Sequence, residues 1–241
     1  GLAYEALHDW EPTERFFERC KNIREEVFQN PSIPLADIYN HLGRYHKTMG
    51  NFRHSEKFYL KSKKTRELLV HKTHLDLASD FESLGCLYMN QRKLNQAEKM
   101  LLKCLKIREQ NSEPLLTANA YLNLGTLCCK LSDPEKACEY YLKCEAIRQE
   151  LLGPEHHLTA RVWHSKALAY ITMKRYEESL SLLKTCLKVC KSGLGRNDPE
   201  VASIYNSMAT AYKFLEDYEQ FEECYSKCEM ILRFNRKKGL I

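Results

Sequence analysis

The eight residues from Tyr121 to Cys128 read YLNLGTLC and contain the pattern that decides the fold. Tyr121 lies four residues before Gly125, Leu124 directly precedes that glycine, and Cys128 follows it by three. Spacings of three and four place side chains on one face of an α-helix. A glycine on that face leaves room for a second helix to approach closely. The stretch therefore predicts an amphipathic helix packed tightly against another helix.

The same pattern recurs along the 241 residues. Its central residue, which we call the small step, is spaced by 42, 42, 40, 42 and 42 residues and is Gly1, Gly43, Gly85, Gly125, Ala167 and Ala209 in turn. A second, mostly small position follows each step by twelve residues, at Thr13, Ser55, Ala97, Ala137, Ser179 and Phe221. Periods of roughly 20–50 residues are typical of repeat proteins, in which each unit buries its apolar face on its neighbours. Each repeat is predicted to be two amphipathic helices with a short turn between them.

Small and aromatic residues at these offsets resemble the tetratricopeptide repeat (TPR) over essentially the whole chain. The long connectors LLGPEH at 151–156 and LGRNDPEVA at 194–202, and the helix ends IRE at 107–109 and IRQ at 147–149, are similar to kinesin light chain repeats. The resemblance implies an all-α fold, a right-handed α-solenoid of antiparallel helix pairs that forms a TPR superhelix. It implies one array over residues 1–241, with units near 1–30, 35–74, 76–114, 115–156, 157–197 and 198–238.

Local signals agree with two helices in each unit. Asp133 and Asp198 each precede a proline, which is typical of an N-cap followed by the first helical residue. Gly153 stands where a helix should end. We predict first helices near 35–49, 76–91, 115–131, 157–173 and 198–215, and second helices near 11–29, 52–70, 94–111, 134–152, 176–192 and 218–235.

The two ends of the chain predict a fragment of a larger multidomain protein. Gly1 matches the second half of a first helix, so the first helix of the first unit is expected to be truncated. The chain stops just before another repeat would start. Natural arrays are normally closed by a polar capping helix, so open ends leave room for stacking on another domain or on a second copy.

Eleven cysteines raise the question of a metal or redox site. Five of them share the register position where the resembled family usually has alanine, which favours a role as small buried side chains: Cys20, Cys104, Cys144, Cys186 and Cys228. No Cys-x-x-Cys pair exists, so no metal site is predicted. So many free thiols are typical of a reducing compartment, and we expect a cytoplasmic protein.

Composition and motifs argue against several function classes. No run of about 18 apolar residues exists, so no membrane span is predicted. The net charge of +5 is spread through the helices, which disfavours a nucleic-acid partner held by a basic patch. No phosphate-binding loop or hydrolase motif is found, so we predict no enzyme activity, no catalytic residue and no cofactor.

The resemblance implies a concave groove lined by the first helices. The residues three and two before each small step, and one, four and five after it, are expected to point into that groove. With Arg161 at its edge, the predicted partner-binding residues are Asn40, His41, Arg44, Lys47, Glu82, Ser83, Cys86, Met89, Asn90, Asn123, Thr126, Lys130, Arg161, His164, Ser165, Asn206, Ser207 and Lys213. Amide side chains bind main-chain groups in both directions and cations bind carboxylates, so these residues suit a peptide.

The predicted function is a non-catalytic scaffold that holds a partner peptide or helix in this groove. Two alternatives stay open. One is a regulatory or self-assembly arm that stacks on another domain through open repeat ends. The other is an RNA-binding helical-repeat protein, which the mixed charge disfavours.

Overall fold

A computed structural model describes residues 10–27 and 31–238 of the chain. The described residues form eleven α-helices and no strand. In chain order the helices are α1 (Trp10–Val27), α2 (Ile33–Thr48), α3 (Phe52–Leu69), α4 (Leu75–Asn90), α5 (Leu94–Gln110), α6 (Pro114–Lys130), α7 (Pro134–Leu152), α8 (His157–Thr172), α9 (Tyr176–Gly193), α10 (Pro199–Phe214) and α11 (Tyr218–Lys237). The predicted all-α class and repeated helix pair are confirmed. The step at Gly1 lies outside the described residues.

Capping chemistry sets where the helices begin. Asp133 accepts a hydrogen bond from the backbone N–H of Lys136 at 3.1 Å, and Pro134 opens α7. Asp198 caps α10 in the same way through the N–H of Glu200 at 2.8 Å. Each carboxylate satisfies a backbone donor that has no partner within its helix. The helix starts predicted from these Asp-Pro pairs lie within one residue of those observed.

The turn inside each helix pair contains a left-handed residue seven positions after the small step. The residues and their φ angles are Gly50 (75°), Arg92 (59°), Ser132 (62°), Lys174 (62°) and Glu216 (61°). Only the first is a glycine, so four of these turns hold a side chain in a conformation that L residues rarely adopt. The repeat geometry therefore overrides local backbone preference at this position.

The small step is small because a large side chain of the second helix lies against it. A Cβ added to Gly43 would lie 2.5 Å from Cδ1 of Tyr59, sixteen residues later. Ser55 donates its hydroxyl to the carbonyl of Gly43 at 2.7 Å, which explains the second small position. Ser179 makes the same bond to Ala167 at 2.9 Å. The two small positions therefore form one close helix crossing.

The helices group into two compact halves, Gly1–Ala120 and Tyr121–Ile241, with the boundary inside α6. Each half contains several repeats, and the two halves are called the first and the second unit below. The first unit has core clusters around Tyr39, Leu42 and Phe58 and around Leu77, Phe81 and Ile107. The second has a larger cluster that includes Trp163, Leu183 and Tyr205. The single array of residues 1–241 and the boundaries of its six repeats stay predictions.

The cysteines that share the alanine register are buried in four of five cases. Cys104, Cys144, Cys186 and Cys228 are buried, whereas Cys20 on α1 is exposed, so the predicted packing role is wrong for Cys20. Its helix packs on the rest of the first unit through the buried Phe17 instead. Burial raises the pKa of Cys104 to about 12 and that of Cys144 to about 11, which keeps both thiols protonated near neutral pH. Among the described helices, none has the length and hydropathy needed to cross a bilayer.

Candidate functional site

The predicted partner-binding residues lie on the first helices α2, α4, α6, α8 and α10, and they differ in accessibility. The exposed ones are Arg44, Asn90, Lys130, Arg161, Asn206 and Lys213. The half-buried ones are Asn40, His41, Lys47, Glu82, Ser83, Cys86, Asn123, Thr126 and Ser165. Fifteen of the eighteen residues therefore present at least part of a side chain to solvent.

The other three predicted residues are buried and form part of the interior. Met89, His164 and Ser207 are 6%, 7% and 5% exposed. Met89 is apolar and is taken into the core of the first unit, while His164 and Ser207 bond to each other. These three side chains are not available to a partner in this conformation.

A buried ionic network in the first unit occupies the predicted residue Asn40. Arg66, on α3, donates to Oδ1 of Asp80 at 2.6 Å, and Ser62 donates to the same oxygen at 2.7 Å. Asn40 adds a third bond to this oxygen at 3.0 Å, and Arg66 also pairs with Asp37. The carboxylate of Asp80 is completely buried. Asn40 and Asp37 therefore position this network as well as bordering the first-helix surface.

The environment of this network has opposing effects on its two charges. Burial raises the pKa of Asp80, and the guanidinium of Arg66 offsets part of that effect. Burial opposes the charged form of Arg66, but the bonds to Asp80 and Asp37 prevail and raise its pKa. Each charge of the pair therefore stabilises the other, because removing one side chain would leave the other buried without a counter-charge.

The position of Asp80 in the repeat indicates a buried ion pair, which the sequence analysis did not predict. It lies five residues before its small step, where the other first helices have apolar residues: Ile38, Ala120, Val162 and Ile204. A carboxylate on an apolar register position needs a buried cation. The partner was also visible, because arginine recurs 23 residues after the step at Arg24, Arg66, Arg108 and Arg148 before Cys190 and Leu232 replace it.

The second arginine of this series holds the predicted residue Glu82. Arg108 donates to Oε1 and Oε2 of Glu82 at 3.0 and 2.6 Å, a bidentate arrangement, and to the carbonyl of Leu116 at 3.0 Å. The Arg108 side chain is almost fully buried, whereas Glu82 is half-buried. Glu82 therefore compensates an interior charge, which limits what it can offer a partner.

In the second unit a histidine cluster replaces this ionic pairing. His164 Nε2 lies 2.8 Å from the hydroxyl of Ser207, and its Nδ1 lies 3.5 Å from Oε1 of Glu200. Arg161 approaches the other oxygen of Glu200 at 3.7 Å. The hydrogen bond from His164, together with Arg161, lowers the pKa of Glu200 against the effect of burial.

The serine, histidine and glutamate of this cluster have the order of a hydrolytic triad, but the contacts do not assign a base. Ser207 donates its proton to the backbone carbonyl of Ser203 at 3.0 Å. A hydroxyl has one proton, so a proton donated to that carbonyl is not also donated to Nε2 of His164. Within the described ranges, no group of three or more His, Cys, Asp or Glu side chains could hold a metal ion. The cluster links α8 and α10 in the interior of the second unit.

Outside these networks, the first helices of each unit offer basic and amide groups. Lys130 and Lys213 are exposed in the second unit, with Asn206 exposed and Asn123 half-buried beside the small steps. In the first unit Arg44 contacts Nδ1 of His41 at 3.1 Å. Amide side chains can donate to and accept from main-chain groups, and cations can pair with carboxylates.

Comparison with known proteins agrees with this architecture. Two family models described as tetratricopeptide repeats match, one at residues 35–76 and 81–112 and the other at 116–191 and 159–231. No curated protein sequence matches the chain.

Three solved structures illustrate the fold. BtubC (BKLC) from P. vanneervenii has a TM-score of 0.77 and 20% identity, covering 94% of this chain and 92% of that one. A putative kinesin light chain from Podosopora anserina has a TM-score of 0.65 and 16% identity, covering 80% and 93%. The Rap conjugation gene regulator of the plasmid pLS20, solved in complex with the Phr* peptide, has a TM-score of 0.70 and 15% identity, covering 86% and 55%.

The matched models together cover most of the chain, and the repeated helix pair has the same small-step geometry in both units. The similar structures include kinesin light chain-like repeat proteins. The chain belongs to the tetratricopeptide repeat family, with an all-α solenoid fold of the kinesin light chain-like type.

Proposed function

We propose that this chain is a non-catalytic scaffold that binds a partner peptide on the face formed by its first helices. The observation that carries the proposal recurs on α2, α6 and α10, where an accessible asparagine lies two or three residues before the small step and an accessible lysine lies four or five residues after it. In the second unit these are Asn123, Lys130, Asn206 and Lys213. A preformed helical face lowers the entropic cost of binding an extended peptide. The Rap regulator, which has the same fold, was solved with a peptide bound.

The proposed partner is a peptide with carboxylate side chains, because the accessible charges among the predicted residues are mostly basic. Arg44, Lys47, Lys130, Arg161 and Lys213 are cations, and the one acid among the predicted residues, Glu82, is held by Arg108. Asparagine and serine side chains between the cations would bind the peptide main chain. We also propose a cytoplasmic location, since all eleven cysteines are free.

A peptide selection experiment tests this function directly. A random peptide library displayed on phage is panned on the purified chain, and selected peptides are measured by fluorescence anisotropy. The Asn123→Ala/Lys130→Ala variant should weaken binding about tenfold or more, as expected for loss of one amide contact and one charge-assisted contact.

The control is Asn95→Ala/Lys99→Ala, which removes the same residue types from exposed positions on the second helix α5. Circular dichroism confirms that both variants fold. Selected peptides that bind the two variants equally well would refute a first-helix site.

Self-association is a second candidate, favoured by the last helix. Tyr218, Tyr225 and Met230 on α11 are 62%, 48% and 62% exposed. Light scattering over a concentration series decides this point. A constant monomer mass up to high concentration would remove the candidate.

A further inference from the structure

A cavity in the first unit lies apart from the proposed peptide face. It has a volume of about 450 Å³ and is lined by Glu67, Val70, Lys72, Thr73, Leu77, Phe81, Lys103, Lys106, Ile107 and Gln110. These residues come from the end of α3, the connector that follows it, the start of α4 and the body of α5. None of them is among the residues predicted for the first-helix site. The cavity is large enough to accept a bulky side chain of a ligand.

The floor of the cavity is apolar and its rim is basic. Leu77, Phe81 and Ile107 are buried core residues that form the floor. Lys72, Lys103 and Lys106 are exposed at the rim. The rim acid, Glu67, is paired with Lys63 at 3.0 Å, so the charge that faces a ligand is positive.

Contacts at the rim show that the cavity is preformed. Asn111, just after α5, donates to the backbone carbonyl of Thr73 at 2.8 Å and fixes the connector that makes one wall. Lys103 Nζ lies 5.4 Å from the centre of the Phe81 ring, which directs its charge over the apolar floor. A ligand would meet a shaped site and would not have to order it.

The residues that line the cavity differ from those at the same register in the second unit, so the fold does not require them. At the same register, 124 residues later, Asn235 fixes the carbonyl of Asn197 at 2.8 Å, so the frame is repeated. The lining differs, because Glu67, Phe81, Lys106 and Gln110 are replaced by Lys191, Tyr205, Met230 and Phe234. Lys191 donates to the hydroxyl of Tyr205 at 2.6 Å. The second unit keeps cations at this register in Lys191, Arg196 and Lys227, but Phe234 stands where the first unit has Gln110. The amide side chain beside the basic rim therefore distinguishes the first unit from this part of the second.

We propose that this cavity is a second peptide-binding site, which accepts a large apolar side chain flanked by acidic residues. The apolar side chain would contact Leu77, Phe81 and Ile107, and the flanking carboxylates would pair with Lys103 and Lys106. The carboxamide of Gln110 can donate to and accept from the peptide main chain, which suits a peptide better than a simple amphiphilic acid. The site binds an acidic partner segment on the second-helix side of the first unit.

The test uses the whole chain and a fluorescein-labelled heptapeptide that has a central phenylalanine, two acidic residues on each side and a terminal glycine at each end. Fluorescence anisotropy should show saturable binding to the wild-type chain. Lys103→Glu/Lys106→Glu should weaken binding at least about tenfold, since two attractive charges become repulsive. A peptide with alanine in place of the phenylalanine should also bind at least about tenfold more weakly, because the apolar contact is lost.

The charge-matched control is Lys64→Glu/Lys99→Glu, which changes exposed lysines on α3 and α5 outside the cavity. It should alter affinity less than about twofold, because exposed charges away from the site are screened by salt. Equal weakening by both lysine pairs would show nonspecific charge attraction and overturn the proposal. The proposal is also overturned if no saturable binding occurs up to about 1 mM peptide, the range of the weakest specific complexes.

Two further measurements separate this site from its alternatives. Asn123→Ala/Lys130→Ala should leave the affinity for the heptapeptide unchanged. The cavity proposal and the first-helix proposal can therefore fail independently of each other. A heptapeptide carrying benzoylphenylalanine at its centre should crosslink to the segment 67–110. Saturable binding of decanoate without binding of the heptapeptide would overturn the assignment to a peptide.

Discussion

The two units fill the same interior positions with different chemistry. In the first unit Arg66 is buried against Asp80, and burial raises the pKa of that carboxyl. In the second unit Cys190 and Ile204 stand 124 residues later at the corresponding positions, and beside them a histidine is bonded to Glu200, whose pKa is lowered. The buried arginine of that unit, Arg148, donates to a backbone carbonyl and not to a carboxylate. The helix-pair geometry is the same in both. The repeat therefore fixes where volume is filled, while charge at those positions is optional.

Optional charge has consequences for the binding surface. The first unit contains buried arginines, and they engage Asn40 and Glu82, which are two of the predicted partner-binding residues. The second unit keeps one arginine of the series, the buried Arg148, which donates to the backbone carbonyl of Leu158, and it has Cys190 in place of the next. Asn206 of its first-helix face stays exposed. Interior and surface composition are thus coupled in the first unit, where Arg66 and Arg108 bond to side chains that would otherwise meet a ligand.

The largest effect is expected when the first unit loses one half of its ionic pair. Arg66→Ala leaves the buried carboxylate of Asp80 without its cation and should lower the free energy of unfolding by about 3–5 kcal/mol. Urea denaturation followed by circular dichroism measures this loss. The double variant Arg66→Cys/Asp80→Ile copies the residues of the second unit and should recover most of the stability, to within about 2 kcal/mol of the wild type. A double variant as unstable as Arg66→Ala would show that the units are not interchangeable at this position.

A smaller effect is expected at the helix crossing. One crossing of the first unit pairs Gly43 with Tyr59, whereas one crossing of the second pairs Ala167 with Leu183. The second unit also contains a glycine–tyrosine crossing, between Gly125 and Tyr141. Gly43→Ala would place a methyl group 2.5 Å from the tyrosine ring and should cost about 1–3 kcal/mol in unfolding free energy. Adding Tyr59→Leu copies the pair of the second unit and should restore stability in the same urea assay. If Gly43→Ala alone is neutral, the ring moves freely and the close contact does not select glycine.

Acid should act on the second unit through Glu200. Its pKa lies below the ordinary value of 4.5 because of the bond to His164 and the charge of Arg161. The carboxylate therefore contributes stability that is fully present above pH 4.5 and is lost as the pH falls through the lower folded value. Glu200→Gln should cost about 1 kcal/mol near neutral pH, and the difference from the wild type should shrink below pH 4.5. Thermal melts from pH 3 to 7 measure the stability difference between Glu200→Gln and the wild type. The control is Glu222→Gln at an exposed position, whose difference from the wild type should not shrink in acid. A difference independent of pH would exclude the ionic contribution.

Much of the fold could be predicted because the small step, its aromatic neighbour and the Asp-Pro caps are local signals. Helix bounds follow from these within two residues wherever the structure describes them. The site was predicted less completely, because register identifies a face of a helix but not the partners of its side chains. Met89, His164 and Ser207 have the correct offsets yet are buried, since the neighbouring helices cover them. Asp80 was missed because its meaning depends on Arg66, which belongs to the preceding repeat.

The smallest effect concerns the turn between paired helices, where one turn of the first unit uses Gly50 and one turn of the second uses Lys174 in the same left-handed conformation. A side chain at positive φ costs about 1 kcal/mol relative to glycine, although glycine also gains entropy in the unfolded chain. Lys174→Gly should therefore raise the free energy of unfolding by about 0.5 kcal/mol, and Gly50→Ala should lower it by about 1 kcal/mol. Urea denaturation of both variants measures whether each change raises or lowers the free energy of unfolding. Lys174→Ala is the control that keeps the strain and removes only the long side chain, so it should stay near the wild type. If Lys174→Gly is destabilising, the lysine side chain contributes more to the second unit than its backbone strain costs, and the two turns differ in more than their residue.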